Sequence, residues 1–104
     1  MDFKNMARNL EMSEAEFSEL AALLVTTGLS DLAKIETGLA AGDAEKVAQA
    51  AHSIKGAAGN LGFAALATIA GTMETSARAG CLDGFDEKMA RLQQQIDTIQ
   101  TAMG

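Results

Sequence analysis

Asp43-Ala44-Glu45-Lys46-Val47-Ala48-Gln49-Ala50-Ala51-His52-Ser53-Ile54-Lys55-Gly56-Ala57-Ala58-Gly59-Asn60-Leu61-Gly62 is the stretch on which the reading of this chain turns. Val47, Ala50, Ala51, Ile54, Ala58 and Leu61 recur in it at three- and four-residue spacing, the period of a helix that buries one face. Asp43 can accept from the unpaired N–H groups of a first turn, and Gly62 can adopt the left-handed conformation that ends a helix. A helix over 44–60 follows. With about 100 degrees per residue, His52 points almost directly away from Ala50, Ile54 and Leu61. Its own face holds Glu45, Ala48, Gln49, Lys55, Gly56, Gly59 and Asn60.

Working outward, Gly42 ends the segment before. That segment begins at Ser13, which with Glu16 makes a capping box. Phe17, Leu20, Leu24, Leu32, Ile35 and Leu39 mark its core side, and one long helix over 14–41 is preferred to two short ones. Gly28 interrupts the stripe and is the place for a bend. Phe3, Met6, Ala7 and Leu10 have helical spacing and predict a short leading helix over 2–11, with a frayed tail as the alternative. On the far side, Phe63, Leu66, Ile69, Ala70 and Met73 predict a helix over 63–79 closed by Gly80. Asp83 and Asp86 open a last helix over 84–102, with Phe85, Met89, Leu92, Ile96, Ile99 and Met103 as its stripe. Connections of a few residues make neighbouring helices antiparallel. The expectation is an all-α fold, one domain over 1–104: an antiparallel up-and-down four-helix bundle with a short additional N-terminal helix.

Composition agrees with this and removes several function classes. The 104 residues include no proline, tryptophan or tyrosine, which suits helices packed on helices. Fourteen acidic and eight basic residues give a net charge of −6, and no two basic residues are adjacent, so a nucleic-acid-binding face is not expected. Cys81 is alone, so neither an internal disulfide nor a thiolate metal cluster can form. No secretory leader and no long apolar run is present, so the cytoplasm is the expected location and no membrane contact is expected. Zinc, calcium-loop, Walker and dinucleotide patterns are absent; no metal or cofactor is expected on this chain.

A lone exposed histidine is usually plain surface, two helix glycines can mark tight packing, and a lysine is usually a solubilising charge. Here the three occur together. Gly56 and Gly59 each cost a helix about 1 kcal/mol against alanine, and their missing side chains leave the ring of His52 open. Neutral imidazole is a competent nucleophile near neutral pH, and Lys55, one turn on, can reach transferred phosphoryl oxygens. These are the requirements of phosphoryl transfer to nitrogen. With no convergent carboxylates to hold it, any Mg²⁺ must come with the partner.

The run Ala51 to Gly62 closely resembles the signature of histidine-containing phosphotransfer (HPt) domains of multistep two-component phosphorelays, and Leu39-Ala40-Ala41-Gly42-Asp43 and Ala77-Arg78-Ala79-Gly80 also look like that family. Ile54 stands where leucine is commoner. The likeness spans roughly residues 17–100. It implies that His52 accepts a phosphoryl group from a receiver-domain aspartate and passes it to the aspartate of another receiver, with Lys55 stabilising its charge. Gly56 would leave the ring open and Gly59 would keep the surface flat. The docking face would be Ala48, Gln49, Gly56, Gly59 and Asn60 with nearby parts of the 14–41 helix, and the 84–102 helix would stay out of it. The expected partners are receiver domains of response regulators and hybrid histidine kinases. The resemblance further implies a monomeric, free-standing phosphocarrier without autonomous ATP-dependent kinase activity. A phosphorylation-independent adaptor using the same face is the alternative, and a kinase dimerisation domain is a third reading.

Overall fold

The computed structural model describes residues 1–103 and contains five helices: α1 (Phe3–Asn9), α2 (Glu14–Ala41), α3 (Ala44–Leu61), α4 (Ala64–Arg78) and α5 (Phe85–Ala102). α2 packs on α3, α3 on α4, α4 on α5, and α5 returns to α2, which closes an up-and-down bundle; α1 lies on α2. The α3–α4 pair is the most intimate. Alanines explain it: Ala48, Ala51, Ala58, Ala70 and Ala77 are all buried, and small residues let helix axes approach.

Local chemistry sets the boundaries. The Ser13 hydroxyl accepts from Glu16 N–H at 3.0 Å while the Glu16 carboxylate accepts from Ser13 N–H at 3.3 Å, so the capping box is made in both directions. α2 ends at Gly42, whose φ of 66° is left-handed, and Asp43 caps α3 by accepting from Lys46 N–H at 3.1 Å. The turn between them is tight enough to need Gly38. A β-carbon there would lie 2.8 Å from Val47 Cγ2 and 3.2 Å from the Asp43 carbonyl oxygen.

The expected leading helix is present as α1, packed on the bundle though shorter than 2–11, while three further expectations are corrected. Phe3 meets Phe17 edge-on at 5.1 Å and Phe63 at 6.1 Å between ring centroids, which fastens α1 across the end of the bundle. Gly28 is no interruption of α2: it is buried, and a β-carbon on it would stand 3.3 Å from Ile96 Cδ1, so it admits α5. Leu20 is not core but 40% exposed, beside Leu23 at 58%. Asp83 does not cap α5; Gly84 holds that position at φ 73°, and Asp86 and Glu87 lie in the first turn, where the helix dipole favours acids.

Two glycines with opposite surroundings test the packing. Gly38→Ala should destabilise the bundle by about 1–3 kcal/mol through overpacking, despite alanine's better helix propensity. Gly59→Ala, where an added β-carbon meets nothing within 4 Å, should stabilise it by up to about 1 kcal/mol. Urea midpoints read both, and a stabilised Gly38→Ala would contradict the account of the α2–α3 turn.

Candidate functional site

His52 projects from the middle of α3 with its side chain 62% exposed. Its partner comes from α4, where Ala70, Met73 and Ala77 face the core and Glu74 lies on the same buried stripe. The Glu74 carboxylate reaches out along the α3–α4 seam to the ring. His52 Nδ1 lies 3.0 Å from Oε2 and 3.2 Å from Oε1. Lys55 Nζ meets Oε1 at 3.1 Å, and Arg78 brings Nε to 2.9 Å and Nη2 to 2.8 Å of Oε2. One carboxylate thus gathers an imidazole and two cations.

Burial is the largest single influence on the Glu74 carboxyl and pushes its pKa up. The hydrogen bonds from Arg78, Lys55 and His52 together outweigh it and bring the value down to about 2. The carboxylate is therefore ionised at any physiological pH. Stability drawn from this contact is complete above the ordinary carboxylate range and is lost as pH falls towards 2. An ionised carboxylate can only accept, so the ring must present N–H to it. In neutral His52 the proton sits on Nδ1, and the lone pair on Nε2 points away from Glu74. Glu74 orients the ring and selects its tautomer.

The surroundings keep Nε2 approachable. Gly56 and Gly59 are exposed, and a β-carbon built on either meets nothing within 4 Å. Gly71 on α4 serves Lys55: a β-carbon there would stand 3.2 Å from Lys55 Cδ, so its absence lets the lysine stem lie across α4 towards Glu74. On the α2 side a shallow apolar trough runs between α2 and α3, lined by Met12, Leu20, Leu23, Ala57, Asn60 and Leu61. Among the described residues no three His, Cys, Asp or Glu side chains converge as metal ligands would, and no helix is long and apolar enough to cross a membrane.

Of the residues expected from sequence, His52 and Lys55 meet on Glu74, and Gly56, Gly59 and Asn60 share the exposed face. Gln49 is exposed and donates to Glu45 at 3.3 Å. Ala48 is a correction. It is 1% exposed because the α3–α4 seam closes over it, so it offers no surface to a partner. Glu74 and Arg78 were missed. A signal for Glu74 existed, since a charged residue at 74 falls on the stripe made by 70, 73 and 77, where a charge demands a partner. Nothing in linear sequence says that this partner is 22 residues away on α3.

Comparison with known proteins gives the family. The crystal structure of histidine-containing phosphotransfer protein B (HptB) from Pseudomonas aeruginosa PAO1 is similar with a TM-score of 0.85 and 27% identity, over 99% of this chain and 90% of that one. No curated protein matches. The family model of the Hpt domain matches residues 19–102, a span that includes α3, α4 and every side chain gathered on Glu74, and the chain belongs to the Hpt family.

Proposed function

We propose that Nε2 of His52 is the atom that takes and returns the phosphoryl group in this Hpt domain. Histidine phosphotransfer between receiver domains is the family's activity, and its members are phosphocarriers rather than autonomous kinases. The observation that carries the assignment is the contact of Nδ1 with an ionised carboxylate, which leaves the opposite nitrogen as the nucleophile.

The step balances simply. The Nε2 lone pair attacks the phosphorus of a receiver aspartyl phosphate, the bond from phosphorus to the aspartyl oxygen breaks, and the aspartate leaves as a carboxylate. The ring keeps its Nδ1 proton and becomes cationic as the N–P bond forms. Glu74 then faces a full positive charge, so its attraction grows along the reaction; only interactions that strengthen towards the transition state accelerate it. Lys55, one helical turn from His52, is the donor assigned to the phosphoryl oxygens in this reading, through an N–H not spent on Glu74. Any Mg²⁺ is held by the receiver. Return to a second receiver reverses each of these changes.

The trough between α2 and α3 supports docking of an apolar element of a receiver. Leu20 and Leu23 are exposed next to Asn60 and Leu61, and exposed apolar residues in one patch mark an interaction surface. The partners in this reading are receivers of response regulators and hybrid kinases, met by a monomer. Binding should be weak, with a Kd in the micromolar range or about −8 kcal/mol, since a shuttle must leave one partner before meeting the next.

Incubated with a phosphorylated receiver and Mg²⁺, the chain should acquire one acid-labile, base-stable phosphoryl group, and His52→Gln should acquire none. An adaptor independent of phosphorylation would keep receiver binding and signalling output in that variant, whereas a carrier loses the output. Gly56→Leu tests access to the ring. Nothing stands where its side chain would begin, so helicity should be kept and stability should rise by most of 1 kcal/mol. Transfer should fall by about tenfold or more, because in-line approach is blocked. If Gly56→Leu unfolds, or transfers as fast as the parent, the open-face argument is wrong.

A further inference from the structure

Arg78 is the one member of the cluster that the transfer step leaves without a task. It spends two donors on Glu74, Nε at 2.9 Å and Nη2 at 2.8 Å, both on Oε2. That is the oxygen nearest the ring, with Nδ1 at 3.0 Å. Guanidinium and imidazole therefore lie within about 6 Å of each other and compete for one acceptor. The arginine side chain is 55% exposed, so holding core packing together is not its main business.

The competition matters because the ring has two conflicting needs. It must be neutral to attack, yet the carboxylate that stabilises the cationic product also favours protonation of the resting ring. A protonated ring has no lone pair on Nε2 and cannot attack. We propose that Arg78 is a positioning residue that offsets Glu74 and so keeps the resting ring of His52 neutral and nucleophilic near pH 7. Lys55 shares the task through Oε1 but is also the residue assigned above to the phosphoryl oxygens; Arg78 acts through Glu74 alone.

Other charges around the ring do not duplicate this role. Glu45 on α3 lines the same surface cleft as Arg78, without an ion pair to it among the described residues. Asp31 and Lys34 on α2 line a second cleft, which Glu45 and Ser53 also line, and oppose each other at 3.9 Å. The inference rests on His52 being the acceptor, and its test separates the two claims. His52 is the only histidine, so its ring C–H proton resonances titrate without overlap in the unphosphorylated chain, with no phosphoryl donor present.

In Arg78→Met the pH midpoint of that titration should rise by about 0.5–1 unit, while Arg78→Lys, which keeps the charge, should stay close to the parent. Transfer from a phosphorylated receiver should fall about two- to fivefold in Arg78→Met at pH 7 and return to within about twofold of the parent by pH 8.5. Circular dichroism should show unchanged helicity. An unmoved or lowered midpoint, or a transfer defect of equal size at every pH, would overturn the role given to Arg78 and make it a structural or docking residue. Absence of label on the parent chain would instead remove His52 as acceptor, whatever the titration shows.

Discussion

A carboxylate on the buried stripe of a helix loses hydration, and the loss must be made good by donors that reach it. Glu74 is in that position on α4, and everything chemical about this chain collects around the compensation: Arg78 from its own helix, Lys55 and His52 from α3. Without Glu74 the ring of His52 has no side-chain hydrogen-bond partner among the described residues. The carboxylate is held in turn by the closeness of α3 and α4, which the alanines of the seam permit. Packing, charge and nucleophile are thus one construction. A larger side chain at Ala48 or Ala77 would separate the helices and loosen Glu74 from the ring without touching a reacting atom.

Helix α3 gives up intrinsic stability for access. Two glycines on its exposed face cost about 1 kcal/mol each against alanine, and the side chain missing at Gly56, one turn from His52, would otherwise flank the ring. What offsets this lies elsewhere on the same helix: the Asp43 cap, the buried methyls of Ala51 and Ala58, and the larger anchors Val47, Ile54 and Leu61. The longest helix, α2, contributes a made capping box at one end and the tight Gly38–Val47 approach at the other. A rigid frame around a bare patch suits the proposed role of presenting the ring of His52 to successive partners.

Most of the frame was legible in sequence because helix boundaries here are written in local chemistry. Ser13 with Glu16, Gly42 with Asp43, and Gly62 act within a few residues, and the apolar period does the rest. Leu20 was misplaced for a physical reason: its position at the edge of the stripe fits a core residue and an exposed one equally well, and spacing alone does not separate them. Ala48 was misplaced because a helix wheel describes one helix, whereas burial on α3 is decided from two sides by α2 and α4. His52 and Lys55 were readable as a pair one turn apart. Glu74 and Arg78 belong to a second helix, and their meeting with the ring depends on the register of α4 against α3, which no local pattern encodes.

The selection of the ring's tautomer by Glu74 is the claim on which the chemistry stands, and it can be observed directly. Two-dimensional ¹H–¹⁵N spectra of the imidazole at pH 8 report which nitrogen carries the proton, and after transfer from a phosphorylated receiver the ³¹P–¹⁵N coupling reports which nitrogen carries phosphorus. The account predicts a neutral ring protonated on Nδ1, phosphorus on Nε2, and a shift towards the mixed tautomers of free histidine in Glu74→Gln. A resting ring protonated on Nε2, or phosphorus found on Nδ1, would contradict it.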